Sequence, residues 1–138
     1  MGDVQITWVQ GEQFVGTDST NHSVVLSTAK NGTGSKPSDM LLIALGACTA
    51  VDVVGILGKK RQNLTGMQIK VSGQQDADPP WTFRKIHIQF SVHGKGLSER
   101  AVEQAIQLSE EKYCSVAATI RGVAEITSSY QIVEDANV

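Results

Sequence analysis

The stretch from Met40 to Val51 carries no charged residue and would place apolar side chains on every side of a helix. Just before it, Pro37 suits the first turn of a helix, because the N–H that proline lacks would be unpaired there. Three consecutive cations, ending at Arg61, suit the negative end of a helix dipole. We therefore predict a helix from Pro37 to about Arg61 that has no face suited to water.

Such a helix must be surrounded by protein or by lipid. A membrane span needs about 20 consecutive apolar residues. Asp52 interrupts this stretch, and two glycines and the cations follow it. These residues argue against a membrane span and favour a long buried helix at the centre of the fold.

Alternation of apolar and polar residues is typical of strands with one face in water. It predicts strands over residues 4–9, 12–17, 22–28, 65–76, 82–93 and 123–132. A second helix is predicted from Ser98 to about Lys112, and a third from Ser115 to Ile120. This order of elements indicates an α+β fold. At 138 residues we expect a single domain over residues 1–138.

Charge and composition narrow the possible partners. The formal net charge is −2, from 12 basic and 14 acidic residues mixed along the chain. We find no basic stripe with interleaved aromatic residues, so we expect no nucleic-acid partner. The first residues, Met1 to Val4, lack the basic and apolar segments of a signal peptide. We expect a cytoplasmic protein that does not bind a membrane.

The candidate reactive residues are Cys48, in the central helix, and Cys114, between the two later helices. In a reducing compartment, disulfides are mostly transient and serve catalysis or sensing. The small residues Gly46, Ala47 and Ala50 would let another chain segment or a substrate approach the Cys48 sulfur. The alternative is that each cysteine is an inert, buried, small apolar side chain.

Other site chemistry fits the residues poorly. Two cysteines with scattered histidines lack the close pairing of zinc ligands, so we expect no metal. A cysteine hydrolase would need an oxyanion hole beside its nucleophile, and the middle of a helix offers none. Redox chemistry of the two thiols and inert buried cysteines are the hypotheses that remain.

Two segments carry a family resemblance. The first comprises Lys36-Pro37, Leu41-Leu42, Leu45-Gly46-Ala47-Cys48-Thr49 and Asp52-Val53. The second is Tyr113-Cys114-Ser115-Val116, at a suitable distance downstream. Together with the order of the elements, they resemble the OsmC/Ohr family of osmotically inducible and organic hydroperoxide resistance proteins over nearly the whole chain.

The resemblance implies antiparallel sheets around a long buried central helix, in an intertwined homodimer with two sites at its interface. It also implies reduction of organic hydroperoxides, in defence against oxidative or osmotic stress. By position, Cys48 would be the peroxidatic thiol, and Cys114 would resolve the resulting sulfenic acid as a disulfide. A dithiol would reduce that disulfide, and no metal or organic cofactor is implied.

One part of the family's site is absent from its expected place. A thiolate needs a depressed pKa, and Cys48 lies about eleven residues inside its helix, too deep for the helix dipole to help. Peroxidase members of the family use an arginine from the N-terminal strands, held by a glutamate just after the proline. This chain has no arginine before Arg61, and Ser38 and Asp39 follow Pro37. The resemblance is therefore to a divergent subgroup.

Candidate substitutes are Arg84 or Arg121 as the cation, with Asp52 or Asp39 as the acid that holds it. Asp52 comes four residues after Cys48, so the two side chains share one face of the helix. Alone, a carboxylate there would raise the thiol pKa, so it must hold a cation or make a structural bond. The two arginines could equally be ordinary surface residues.

The leading hypothesis is a thiol-dependent peroxidase that uses Cys48 and Cys114. The alternative is a non-catalytic redox sensor or small-molecule-binding stress protein on the same dimeric fold, and a third hypothesis is a structural dimer with inert thiols. The first predicts a disulfide between the cysteines, with Cα atoms within about 7 Å. The uncharged helix itself predicts a dimer, since 138 residues provide little apolar cover for its whole circumference.

Overall fold

The computed structural model describes residues 2–28, 30 and 32–136. By their internal contacts the residues form two compact units, Met1–Leu41 and Leu42–Val138, which are described in turn. The single domain expected over residues 1–138 stays a prediction. The glycine and asparagine content of residues 29–36 predicts a loop there, and two of its residues, Ala29 and Asn31, lie outside the described residues.

The first unit contains an antiparallel sheet in the order β1–β2–β3, formed by Gln5–Gln10, Gln13–Thr17 and Ser23–Ser27. The predicted strands are confirmed, with ends shifted by at most one residue. Gly11 turns the first hairpin with a φ of 52°, a left-handed conformation that glycine adopts without steric cost. Its carbonyl accepts a hydrogen bond from the Trp8 indole N–H at 2.8 Å.

Helix α1, Pro37–Lys59, begins at the predicted proline and belongs partly to each unit. It ends slightly before the predicted Arg61, because Arg61 adopts a left-handed backbone with a φ of 57° and turns the chain away. By length and composition, α1 could cross a membrane, but core helices of soluble proteins meet the same criteria. In the second unit, one face of α1 packs into the hydrophobic core.

Within the second unit, α1 buries one face and exposes another. Leu45, Val53 and Leu57 are completely buried, which confirms the predicted buried helix for this face. Ile43 and Val51, on the other side, are exposed. A helix that is apolar all round therefore keeps an uncovered apolar face in the single chain.

The second unit contains a sheet in the order β4–β5–β6, formed by Asn63–Gln75, Phe83–Lys95 and Glu125–Glu134. Strands β4 and β5 form an antiparallel pair with Ile69 opposite Phe90. Alternate residues of β5 are buried, as the period-two pattern predicts: Ile86, Ile88, Phe90 and Val92. They share one hydrophobic core with the buried face of α1.

The prediction of antiparallel sheets is wrong for the last strand pair, because β6 runs parallel to β5 with Tyr130 beside Phe90. Parallel neighbours need a crossover connection, and here it consists of helical segments. These are α2, Glu99–Leu108, a π-helical turn (the π turn), Ser109–Tyr113, and α3, Ser115–Ile120. Alternation within a strand does not record the direction of its neighbour, so the sequence pattern could not distinguish the two arrangements.

The predicted helix from Ser98 to Lys112 is α2 followed by the π turn. The Ser98 side chain caps α2 by accepting a hydrogen bond from the Ala101 N–H at 3.2 Å, as its position predicts. At the other end, the Cys114 N–H donates to the Ser109 carbonyl, five residues earlier, at 2.8 Å. That spacing defines a π turn, a feature often found at functional sites.

Candidate functional site

Cys48 lies where α1 approaches the second sheet closely. At Gly46 a Cβ atom would come within 3.0 Å of the Val71 Cγ2 atom on β4, so only glycine allows this separation without adjustment. Cys48 itself is partly exposed and packs against the edge of the core. The small residue two positions before the cysteine thus brings its helix close to the sheet.

Cys114 is buried in the crossover, between the π turn and α3. Its N–H donates to the Ser109 carbonyl, as described above, and its sulfur accepts a hydrogen bond from the Ala117 N–H at 3.3 Å. The backbone of Cys114 is therefore held by a residue that precedes it in the chain, and its side chain by a residue that follows it. The position of this sulfur is fixed by local structure.

Both cysteines are free, and the Cys48 thiol lies close enough to Cys114 to affect its titration. Burial, reinforced by the neighbouring Cys48 thiol, raises the pKa of the Cys114 thiol to about 11. Cys114 therefore keeps its proton at neutral pH. Of the two cysteines, Cys48 is partly exposed and Cys114 is buried.

Asp52 shares a helix face with Cys48, as its spacing predicts, and its partner is a hydroxyl rather than an arginine. The Ser109 hydroxyl donates to the Asp52 Oδ2 atom at 2.8 Å. Ser109 is completely buried and was not singled out from the sequence. A signal for it exists, because a serine four residues after Ala105 continues the buried face of α2.

The two candidate arginines have partners elsewhere. Arg84 forms an ion pair with Asp76 at 3.0 Å, and both side chains are largely exposed. The Arg121 guanidinium is exposed and donates to the carbonyl of Glu110. Neither arginine pairs with Asp52 in the described part of the second unit, and their proposed role toward Cys48 stays a prediction.

The remaining sequence candidate, Asp39, lies in the first unit. It occupies the first turn of α1, where a negative charge suits the helix dipole, and it is exposed. Among the described residues, no group of three or more histidine, cysteine or acidic side chains is placed to hold a metal ion. The chemistry that this site offers is that of a thiol pair.

Comparison with known proteins places this arrangement in context. A model of the OsmC-like protein family matches residues 30–129. Protein YhfA of Escherichia coli strain K12 is 36% identical over 129 residues, which cover 94% of this chain and 96% of YhfA. These similarities extend over most of the chain and include both cysteine segments.

Solved structures share the fold. A hypothetical protein from Aquifex aeolicus VF5 is 28% identical with a TM-score of 0.88, and the match covers 99% of this chain and 98% of that one. An organic hydroperoxide resistance protein, OsmC, from Legionella pneumophila is 15% identical with a TM-score of 0.67, over 95% and 96% of the two chains. At that identity the second likeness concerns the fold alone.

Proposed function

This chain belongs to the OsmC-like family, as its cysteine segments predict, and we propose that it reduces organic hydroperoxides through Cys48 and Cys114. The observation that carries the proposal is that the Cys48 thiol neighbours the Cys114 thiol closely enough to raise its pKa. The two cysteines come from segments that are far apart in the chain, and Cys48 is partly exposed whereas Cys114 is buried. A two-cysteine peroxidase needs such a pair, because the oxidised thiol must be captured promptly by the second.

In the proposed first step, the Cys48 thiolate attacks a peroxide oxygen. The O–O bond breaks, the Cys48 sulfur becomes a sulfenic acid, and the organic fragment leaves as an alcohol after taking up a proton. Cys114 is poorly suited to this step, because it is buried and its pKa is raised to about 11. Cys48 is partly exposed, and this difference in exposure supports it as the peroxidatic thiol.

In the second step, the Cys114 sulfur attacks the sulfenic sulfur. An S–S bond forms, and the sulfenic hydroxyl leaves as water with the proton of the Cys114 thiol. A dithiol then restores both thiols by exchange, and is itself oxidised to a disulfide. We place the protein in the cytoplasm, where such a reductant is available, and in defence against oxidative or osmotic stress.

We propose further that the protein works as a homodimer. On the uncovered face of α1, Val51 is 73%, Ile43 52% and Val54 46% exposed. Single apolar residues on a surface need no explanation, but a contiguous apolar face marks a site of association. A second copy of the chain, related by a two-fold axis, would cover this face.

A redox sensor without turnover is the second candidate function, and the arginines favour it. Arg84 is bound to Asp76 and Arg121 to the Glu110 carbonyl, so neither is engaged with a thiol or with Asp52 in the described part of the second unit. A thiolate without a neighbouring cation reacts slowly with peroxide. We retain both arginines as candidates that would have to change partners.

The test is consumption of tert-butyl hydroperoxide by the purified protein, with dithiothreitol as the donor. We expect turnover that Cys48→Ser lowers by at least about 100-fold, because it removes the nucleophile. Without the donor, the wild type should consume one peroxide per chain and lose both thiols. Cys114→Ser should instead accumulate a sulfenic acid at Cys48, detected by mass spectrometry after trapping with dimedone.

Two outcomes would favour the other hypotheses. Oxidation of the thiols to a disulfide without sustained turnover would indicate the sensor. Thiols that react no faster than free cysteine would indicate inert side chains. Arg84→Met and Arg121→Met, measured in the same assay, should identify a cation that activates Cys48 if either one does.

A further inference from the structure

Ser109 is a buried residue that the proposed peroxide chemistry does not use. Its hydroxyl donates to the Asp52 carboxylate at 2.8 Å, and its carbonyl accepts the Cys114 N–H at 2.8 Å. Ser109 is completely buried, so water does not reach the serine end of either bond. A single residue therefore links α1 to the backbone of the segment that carries Cys114.

The link reaches both cysteines by short paths. Asp52 is one helical turn after Cys48, and a turn of helix is a rigid spacer. Ser109 is joined to Cys114 by the hydrogen bond that closes the π turn. From one cysteine to the other, the path contains one turn of helix, one side-chain hydrogen bond and one backbone hydrogen bond.

We propose that Asp52 and Ser109 are positioning residues for the thiol pair. Their hydrogen bond holds the Cys114 segment against α1 and thereby sets how readily the two cysteines form a disulfide. The role rests on the proposed two-cysteine function, and it names the residues that control the equilibrium between the thiols and the disulfide.

The hydrogen bond favours the disulfide because it limits the conformations that are open to the reduced protein. A hydrogen bond to a carboxylate is stronger than one between neutral groups, and the loss of a buried partner leaves the other group unsatisfied. Without this bond, the π turn is held less firmly against α1, and the reduced protein gains conformations that disulfide formation must then remove. The disulfide becomes less favourable, although neither cysteine has been changed.

The experiment measures the Cys48–Cys114 disulfide equilibrium in mixtures of reduced and oxidised dithiothreitol. Ser109→Ala should lower the equilibrium constant for disulfide formation about tenfold, which for two electrons is about 30 mV in reduction potential. Asp52→Ala should have a similar effect. Asp52→Asn should stay nearer to the wild-type value than Asp52→Ala does, because its amide oxygen still accepts the serine hydroxyl in a weaker, neutral hydrogen bond.

Thr49 provides a matched control. It is also completely buried and directly follows Cys48, but its hydroxyl donates to the Leu45 and Gly46 carbonyls at 3.2 and 3.0 Å, within α1. Thr49→Val removes a buried hydroxyl without touching the link to the crossover. It should lower stability without shifting the disulfide equilibrium.

The proposal is overturned if Ser109→Ala shifts the equilibrium no more than Thr49→Val does. It is also overturned if Asp52→Asn behaves like Asp52→Ala, since charge and not the hydrogen bond would then be responsible. Should Ser109→Ala not fold, the two variants of Asp52, a partly exposed residue, make the same comparison.

The measurement uses no peroxide, so it separates this proposal from the proposed function. A tenfold shift in a protein that consumes no hydroperoxide would support the positioning role and overturn the peroxidase. Normal hydroperoxide turnover with no shift in any variant would support the peroxidase and overturn the positioning role.

Discussion

Cys114 connects the chemistry of the site to the stability of the fold. Burial and the neighbouring Cys48 thiol raise its pKa from an ordinary 9.0 to about 11. Between these two pH values the unfolded chain has lost the Cys114 proton and the native protein still holds it. The contribution of this group to stability is therefore complete below about pH 9 and is lost as the pH rises towards 11.

We expect the free energy of unfolding under reducing conditions to fall by about 2 kcal/mol between pH 9 and pH 11 on account of this residue. Cys114→Ser has no titratable group at position 114 and should lack that part of the decrease. Urea denaturation at a series of pH values measures the difference. Identical pH dependence in the two proteins would contradict the assignment.

Only cysteine carries a thiol, so both candidate reactive residues could be identified from the sequence. Asp52 could be singled out by its helical spacing from Cys48. That Ser109 is the partner of Asp52 could not be predicted, because the two residues lie 57 positions apart and meet only through tertiary packing. The partners of the two arginines also depend on tertiary structure, so they could not be predicted from the pattern of charges along the chain.

At the scale of elements, the contact between α1 and β4 depends on Gly46. Gly46→Ala should bring a methyl group within 3.0 Å of Val71 and push the helix from the sheet. We expect a loss of about 1–2 kcal/mol in stability, because overpacking outweighs the gain in helix propensity. Chemical denaturation of the reduced protein measures it.

Gly58 is the control for this prediction. It belongs to the same helix, but a Cβ atom there would meet no atom within 4 Å. Gly58→Ala should therefore stabilise the protein by up to about 1 kcal/mol. If both alanine variants change stability in the same direction, the close packing at Gly46 is not what matters.

Most helices and strands could be predicted because their apolar periodicity is strong. The start of α1, the cap of α2 and the whole of α3 follow from local residue preferences. The π turn could not be predicted, since it differs from an α-helical turn by one residue and is selected by tertiary bonds. The direction of β6 could not be predicted either, because it depends on the crossover.

For the whole molecule, the uncovered apolar face of α1 is the feature with the greatest consequence. Burial of a Val51 side chain by a second copy contributes about 1.5–3 kcal/mol relative to exposure. Several such side chains on one helix are enough to favour association at low concentration. Among the described residues of the second unit, none covers this face.

We expect light scattering at micromolar concentration to give about twice the chain mass of 14.8 kDa. Val51→Glu should weaken the dimer, because association would bury an unpaired charge. Gln89→Glu adds the same charge at an exposed position on β5 and should leave the mass unchanged. A folded wild-type monomer would contradict the dimer.

Because β6 lies parallel to β5, it cannot dock until the whole crossover has folded back along the sheet. Pairings between strands that are distant in sequence form slowly, after the local hairpins and helices. Cys114 belongs to that crossover and precedes β6 in the chain. A growing chain therefore contains both cysteines before the last strand has been made, and we expect the thiols to become a stable pair only once that strand is in place.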